Sequence, residues 1–137
     1  MFAADRFLVW VALVSLIYVL LYMWMGFQVG RMRGKHGIAA PATIGHPEFE
    51  RAYRVQMNTL EQMGPFLLAL WLCALLGSPV FSTILGALYT IARLAYAVTY
   101  YKDAAKRGPA FGAGLLFLTL LWLGAVYGAV RLLTITS

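Results

Sequence analysis

Charged residues are scarce in this sequence, and acidic residues are the scarcest of them. Only 12% of the 137 residues are Asp, Glu, Lys or Arg, whereas a soluble domain carries roughly a quarter. Such a low content cannot cover a surface that faces water on all sides, and the 62% of hydrophobic residues indicate lipid as the main solvent. The formal net charge of +6 therefore reports first on membrane topology, and we expect no nucleic-acid partner.

Cysteine is nearly absent as well, since Cys73 is the single one. One thiol excludes an intrachain disulfide and a cysteine-based zinc site. Cys73 stands in the apolar run Leu-Trp-Leu-Cys-Ala at 70–74, so we interpret it as a small hydrophobic residue. His36 and His46 lie in a connecting segment and lack the partner pattern of a catalytic base, and we expect no metal in this protein.

Four apolar stretches each approach the ~20 residues that a helix needs to cross a bilayer. They run from about Phe7 to Gln28, from an amphipathic start near Glu50 to Leu76, from Val80 to Tyr101, and from Phe111 to Leu133. Open strands cannot satisfy their edge groups in lipid, so all four are predicted to be helices. The first exceeds the apolar core of a signal peptide and is interpreted as a span. The sequence thus predicts an all-α membrane protein, a single four-transmembrane-helix bundle over residues 1–137.

Basic residues gather on one side of this predicted bundle. The first and third connections, with the adjoining start of span two, contain Arg31, Arg33, Lys35, Arg51, Arg54, Lys102, Lys106 and Arg107. The opposite side has only Arg6 and Arg131 against Asp5. Because positive loops stay in the cytoplasm, we expect the basic side to be cytoplasmic and both termini to lie on the opposite side.

Two predicted spans carry polar stripes. On span two the spacing i, i+3, i+7, i+10 places four polar residues on one helix face, namely Arg51, Arg54, Asn58 and Glu61. On span three the spacing i, i+3, i+7 does the same for Arg93, Tyr96 and Tyr100, and Arg107 follows seven residues later. An unpaired charge at mid-membrane costs at least ~2.5–3.5 kcal/mol, so the stripes should face a bundle interior, a subunit interface or a wet cavity.

The stripes admit two interpretations. One is a structural ion pair between Arg93 and Glu61 that fixes helix register. The other is a site for a small polyanionic ligand, because arginines bind carboxylates bidentately and Asn and Tyr add neutral hydrogen bonds. In that case Glu61 would bind an amine. Glutathione, with two carboxylates, one amine and a thiol, fits this inventory.

Two blocks of the sequence resemble the signature of the MAPEG superfamily (membrane-associated proteins in eicosanoid and glutathione metabolism). The first block reads Glu-Arg-Ala-Tyr-Arg-x-Gln-x-Asn-x-x-Glu over residues 50–61 and is followed by Pro-Phe-Leu at 65–67. The second reads Ala-Arg-Leu-x-Tyr-x-x-x-Tyr over residues 92–100 and is followed by Arg107. Within the superfamily, the chain looks most like the branch of leukotriene-C synthase and the microsomal glutathione transferases.

The resemblance implies a homotrimer with glutathione bound between neighbouring protomers at the cytosolic side. By position, it implies that the γ-glutamyl end is held by Arg54, Asn58, Glu61 and Tyr96. It places Arg33 and Gln56 at the glycine carboxylate, Tyr100 near the sulfur, and Arg107 where it stabilises the thiolate. That role is chemically sensible, because the thiolate is the nucleophile and a free thiol is mostly protonated at neutral pH.

Two positions depart from leukotriene-C synthase. Gly34 replaces an arginine thought to act on the epoxide substrate of that enzyme, and Gln62 replaces a tyrosine. Arg54 and Glu61 have no equivalents in the non-catalytic lipoxygenase-activating relative. We therefore expect a membrane glutathione transferase acting on hydrophobic electrophiles from the lipid, with peroxidase activity open to the same thiolate. The alternative is a non-enzymatic membrane scaffold that binds lipid or a protein partner.

Overall fold

The structure, a computed structural model, describes residues 3–136, which form four long helices. The helices are α1 (Ala3–His36), α2 (Pro47–Leu72), α3 (Pro79–Lys102) and α4 (Gly108–Thr136). One turn of π-helix, Cys73–Gly77, prolongs α2, and a 3₁₀ turn, Ala104–Arg107, connects α3 to α4. All four helices are long and apolar enough to cross a membrane, which confirms the predicted number of spans. Of the predicted domain 1–137, residues 1, 2 and 137 lie outside the described residues.

The predicted bounds of three spans were too short at the basic side. Helix α1 continues past Gln28 to His36, so that Arg31 and Arg33 are helical and not part of a loop. Helix α2 begins at Pro47 and not near Glu50, and α4 begins at Gly108 and not at Phe111. The physical reason is that hydropathy marks where lipid ends, whereas capping residues mark where a helix ends.

The helix ends are set by local turn chemistry. Gly37 follows α1 with a φ of 64°, and the Ile38 amide donates to the Arg33 carbonyl at 3.0 Å, a Schellman arrangement. Helix α2 starts at Pro47, where the preceding His46 accepts a hydrogen bond from the Glu48 amide at 3.2 Å. Proline suits the first position of a helix because the missing N–H has no helical partner there.

The centre of the bundle is built around three aromatic rings from three helices. Tyr18 and Phe66 have ring centroids 4.6 Å apart, and Phe66 stacks on Tyr89 at 4.2 Å. The Tyr18 hydroxyl donates to the Thr59 carbonyl at 3.3 Å, which satisfies a polar group in the buried interior. This cluster fixes α1, α2 and α3 together at the level just beyond the polar stripes.

Small residues bring α4 against the end of α2. A Cβ atom at Gly124 would lie 2.7 Å from the Cys73 sulfur, and one at Gly128 would overlap the Leu76 carbonyl. The pair therefore serves packing within the bundle. At Gly112, by contrast, an added Cβ would meet nothing within 4 Å.

The outward faces of all four helices are apolar. Large exposed hydrophobic side chains include Leu20, Leu68, Ile91 and Leu133, one from each helix. Exposed cations concentrate at one end of the bundle, which we call the basic end and define by Arg31, Lys35, Arg54, Lys102, Lys106 and Arg107. The arrangement is that of an apolar belt with a charged margin, as a bilayer requires.

Candidate functional site

A cavity of about 520 Å³ opens near the basic end between α2, α3 and α4. We call it the site cavity. It is lined by Asn58, Glu61, Gln62, Arg93, Tyr96, Arg107, Gly108 and Phe111. The structure thus gathers residues from both polar stripes and from the 3₁₀ turn around one volume, and five of them were predicted site residues.

Arg93 is the most buried cation of the site cavity, with 6% of its surface exposed. Its Nη2 atom donates to the Tyr89 hydroxyl at 3.0 Å. The guanidinium carbon lies 5.6 Å from the Tyr89 ring centroid and 5.0 Å from that of Tyr96. Such contacts over ring faces are worth about 0.5–2 kcal/mol each and help to hold a charge at this depth.

The sequence interpretation of an Arg93–Glu61 ion pair requires correction. Among the described residues Arg93 forms no salt bridge, and its Nη2 atom instead donates to the hydroxyl of Tyr89, four residues earlier on the same helix face. Both side chains nevertheless line the site cavity. Glu61 is exposed and has no ion-pair partner in residues 3–136, so its carboxylate is available to a ligand.

Asn58 and Tyr96 form a direct link between α2 and α3. The Asn58 amide nitrogen donates to the Tyr96 hydroxyl oxygen at 2.6 Å. This bond uses an acceptor position of Tyr96 and leaves its O–H free to donate, while the amide oxygen of Asn58 remains free to accept. The pair can therefore offer one donor and one acceptor to a bound molecule.

Arg107 reaches the site through the turn between α3 and α4. Helix α3 ends at Lys102, and Asp103 starts the 3₁₀ turn by accepting a hydrogen bond from the Ala105 amide at 2.9 Å. Arg107 donates to the Ala104 carbonyl at 2.9 Å, and its guanidinium lies 5.4 Å over the Tyr100 ring. The predicted third span ended at Tyr101, and the 3₁₀ turn that follows α3 places the Arg107 guanidinium over the Tyr100 ring.

A second cavity of about 640 Å³ lies beside the start of α2 and the end of α3. Arg54 and Tyr100 both line it, together with Arg51 and Lys102. Arg51 is already engaged, since its Nε donates to the Tyr101 carbonyl at 3.0 Å, whereas Arg54 is exposed. Tyr100 connects the two cavities, because it also lies under Arg107 and 5.5 Å from the Tyr96 ring.

Arg33 and Gln56 do not line either cavity within one chain. The Arg33 guanidinium lies 4.6 Å from the Phe49 ring centroid and donates to two carbonyls of the α1–α2 connection, those of Ile38 and Ala39, at 3.5 and 3.4 Å. Gln56 faces α1, where a Cβ atom added to Gly26 would lie 2.9 Å from its amide nitrogen. One chain therefore does not bring these two residues to the remaining predicted site residues.

Three potential metal ligands, His36, His46 and Glu48, have ligand atoms within 4.8 Å of one another. The two imidazole rings, however, stack face to face with centroids 3.5 Å apart and an interplanar angle of 12°. Lone pairs lie in the ring planes, so two stacked parallel rings do not direct them at one ion. Glu48 also accepts hydrogen bonds from Lys35 at 2.6 Å and pairs with His36 at 2.8 Å. These contacts join the end of α1 to the start of α2, and the geometry suits that structural role better than metal binding.

Tyr89 accepts the hydrogen bond of Arg93 but was not among the predicted site residues. Its signal was present: extending the stripe Arg93, Tyr96, Tyr100 by four residues toward the N-terminus reaches Tyr89.

The fold and the site cavity define a four-span helical membrane protein with a site of arginine, tyrosine and amide side chains near one end. The MAPEG family model matches residues 11–127, and the chain belongs to that family, as the two sequence blocks indicated. It is an integral, multi-pass membrane protein.

Individual relatives align along most of their length. Mouse microsomal glutathione S-transferase 2 is 42% identical over 117 residues, which cover 85% of this chain and 80% of the relative. Bovine leukotriene C4 synthase is 34% identical over 123 residues, 89% of this chain and 79% of the relative. An uncharacterized protein of Synechocystis is 44% identical over 119 residues, 87% of each chain.

Proposed function

We propose that this protein is a glutathione-dependent membrane transferase that activates the glutathione thiol for attack on hydrophobic electrophiles. The observation that carries the proposal is the position of Arg107, over the Tyr100 ring and at the edge of a cavity lined by Asn58, Glu61 and Tyr96. The similarity to a microsomal glutathione S-transferase and to leukotriene C4 synthase supports the same chemistry.

The side chains of the two cavities match the functional groups of glutathione. Glu61 binds the α-ammonium group, and Asn58 and Tyr96 supply hydrogen bonds to the γ-glutamyl carboxylate. Arg54 pairs with that carboxylate from the neighbouring cavity, where it is exposed and free of ion pairs within residues 3–136. Tyr100 borders the sulfur. Charge-assisted bonds of this kind are roughly twice as strong as neutral ones, so Arg54 and Glu61 dominate affinity.

Arg107 supplies the chemical activation. Its guanidinium stabilises the thiolate, so that the thiol proton leaves to solvent at neutral pH. Lowering the thiol pKa by two units corresponds to about 2.7 kcal/mol, which makes the thiolate the major form. The thiolate then attacks the electrophilic carbon, an S–C bond forms, and the leaving group departs with its electron pair. Reduction of a hydroperoxide would use the same thiolate.

A homotrimer completes the site in this proposal. Arg33 and Gln56 of one protomer reach the glycine carboxylate of a glutathione held by its neighbour, which gives a role to two residues that lie apart from both cavities within one chain. The basic end faces the cytoplasm and both termini lie on the opposite side, in accordance with the distribution of Lys and Arg. The electrophile enters from the lipid along the apolar helix faces.

The decisive test compares Arg107→Ala with Lys106→Ala. Both positions are exposed cations of the same turn, but only Arg107 lies over Tyr100. Turnover of glutathione with a chlorodinitrobenzene-type electrophile should fall about tenfold to a hundredfold in Arg107→Ala, and the thiolate absorbance of bound glutathione should titrate at higher pH. Lys106→Ala should behave as the wild type.

Equal turnover in the two variants would refute the assigned role of Arg107. Calorimetry of the wild type separates the remaining alternative: a non-enzymatic scaffold predicts no saturable glutathione binding. The departures Gly34 and Gln62 lead us to expect poor activity with the epoxide of leukotriene C4 synthesis, and a panel of electrophiles and hydroperoxides would measure that preference.

A further inference from the structure

Two residues of the site cavity carry opposite charges and do not pair with each other. Arg93 comes from α3 and Glu61 from α2. Among the described residues, no carboxylate lies within ion-pair distance of Arg93 and no cation lies within that distance of Glu61. A free cation and a free anion in one cavity are complementary to a zwitterion, a molecule whose carboxylate and ammonium groups lie close together.

The guanidinium of Arg93 keeps N–H groups for a ligand. Its Nη2 atom donates to the Tyr89 hydroxyl at 3.0 Å, whereas Nε and Nη1 have no hydrogen-bond partner among the described residues. In that part of the chain, two unpartnered polar atoms of buried or half-buried side chains are sealed from solvent, and neither belongs to Arg93. The free nitrogens of Arg93 therefore open onto a cavity that this side chain lines, and a ligand there can reach them.

A ligand has to reach Arg93 from the site cavity. Arg93 also lines a small cleft of about 30 Å³ between α2, α3 and α4, whose other walls include the apolar side chains of Phe111, Leu115 and Leu118. A cleft of that volume holds about two water molecules. The site cavity, at about 520 Å³, has room for an organic ligand. The anionic group of such a ligand therefore meets Arg93 on the side of the site cavity.

The depth of Arg93 matches one end of glutathione. Tyr100, which borders the sulfur in the proposed function, follows Arg93 by seven residues on α3, a rise of ~10 Å. In glutathione, eight bonds separate the sulfur from the α-carboxylate carbon of the γ-glutamyl group, and an extended chain of that length spans about 10 Å. A molecule with its sulfur beside Tyr100 can therefore bring its α-carboxylate to the level of Arg93.

We propose that Arg93 binds the α-carboxylate of the γ-glutamyl group, while Glu61 binds the ammonium group on the same carbon. The inference rests on the proposed glutathione-dependent function and adds a specificity-determining residue to its site. A carboxylate has two oxygens with about four lone-pair sites, so Arg54 and the pair of Asn58 and Tyr96 keep acceptors of their own. Arg93 thereby makes the deep end of the site selective for thiols that carry this carboxylate.

The test compares three thiols as substrates of the full chain in detergent micelles, with one chlorodinitrobenzene-type electrophile. They are glutathione, 4-aminobutyryl-cysteinylglycine, which lacks the α-carboxylate, and glutaryl-cysteinylglycine, which lacks the ammonium group. In Arg93→Gln, kcat/KM should fall about tenfold to a hundredfold for glutathione and for the glutaryl thiol, chiefly through KM. It should stay within about twofold of the wild type for the aminobutyryl thiol, and that unchanged value shows that the variant is folded.

Two further variants make the result specific. Arg131→Gln removes an exposed cation at the opposite end of the bundle and should leave all three thiols unchanged. Arg93→Lys keeps the charge at this depth but loses the planar fork, so it should lose less than Arg93→Gln with the same order among the thiols.

Two kinds of failure are distinguishable. Equal losses for the three thiols in both Arg93 variants, or no loss for glutathione in Arg93→Gln, would overturn the role of Arg93 and leave the proposed function standing. Absence of saturable glutathione binding and of turnover in the wild type would refute the proposed function itself, and the role of Arg93 with it.

Discussion

At the scale of single residues, the buried charge of Arg93 is the costliest feature of the bundle. Its position on α3 lies about nine residues, or ~14 Å, from the helix end, where an uncompensated cation is strongly disfavoured. The structure compensates it with one hydrogen bond from Arg93 to the Tyr89 hydroxyl and with two tyrosine ring faces. Arg93 is therefore held by tyrosines where it lines the site cavity, and it does not pair with Glu61, whose carboxylate stays available to a ligand.

Removing the Tyr89 hydroxyl should expose this dependence. Tyr89→Phe keeps the ring that stacks on Phe66 and removes the hydroxyl that accepts the Arg93 hydrogen bond. A hydrogen bond to a charged group is worth about 1.5–3 kcal/mol, so the free energy of unfolding in mixed micelles should fall by that amount. Tyr127→Phe is the control, because the Tyr127 side chain is exposed. Equal stability of the two variants would contradict the proposed support of Arg93.

Single residues also show which contacts of the site could be predicted from the sequence and which could not. Helical spacing placed Asn58 and Glu61 on one face of α2, and the family resemblance assigned the stripe of Arg93 and Tyr96 as its partner; these residues line one cavity. Spacing could not choose the partner of Arg93, because the choice depends on distances across the bundle and on a competing hydroxyl on the same helix.

At the scale of helices, composition predicted the number of spans and their order but not their ends. A run of about 20 apolar residues indicates a membrane-spanning helix, and that signal is strong in all four helices. The additional turns of α1, from Gln28 to His36, consist of residues that a hydropathy pattern assigns to a loop. They are helical because the first left-handed position of the chain after α1 comes only at Gly37.

The contact of α4 with the end of α2 depends on the absence of a side chain at Gly128. Gly128→Ala places a Cβ against the Leu76 carbonyl and the Gly77 amide nitrogen, so α4 must shift outward. We expect a loss of about 1–3 kcal/mol in the free energy of unfolding, as for other overpacked positions. Gly112→Ala on the same helix meets nothing within 4 Å and should be neutral or stabilising by up to ~1 kcal/mol. Comparable losses at both glycines would show that helix flexibility, and not close packing, is what matters.

At the scale of the whole molecule, the proposed glutathione site is divided. Arg107, Glu61 and Asn58 surround one cavity, whereas Arg33 is occupied with the α1–α2 connection on another side of the same chain. A closed symmetric oligomer resolves this division, because each interface can join one face of a protomer to a different face of its neighbour. Residue spacing could not tell whether one protomer or two supply the site residues, because spacing describes the geometry of one chain and not the contacts between two chains.

Mixed oligomers test the division directly. Arg33→Ala and Arg107→Ala are each expected to lose most turnover at low glutathione concentration. If neighbouring protomers supply these two arginines, co-expression at equal amounts should restore about one quarter of the sites, those that join an intact Arg33 to an intact Arg107. If one protomer supplies both, every site contains a defect and no turnover returns.

The double variant Arg33→Ala/Arg107→Ala, mixed with an equal amount of wild type, provides the matched control. Sites shared between protomers should then retain about one quarter of the wild-type turnover, and sites within one protomer about one half. Thermal unfolding of each mixture checks that loss of the Arg33 contacts to Ile38 and Ala39 has not unfolded the connection. Restoration in the first mixture with one quarter in the second would establish a shared site. No restoration with one half would assign both arginines to a single chain and refute the proposed division between protomers.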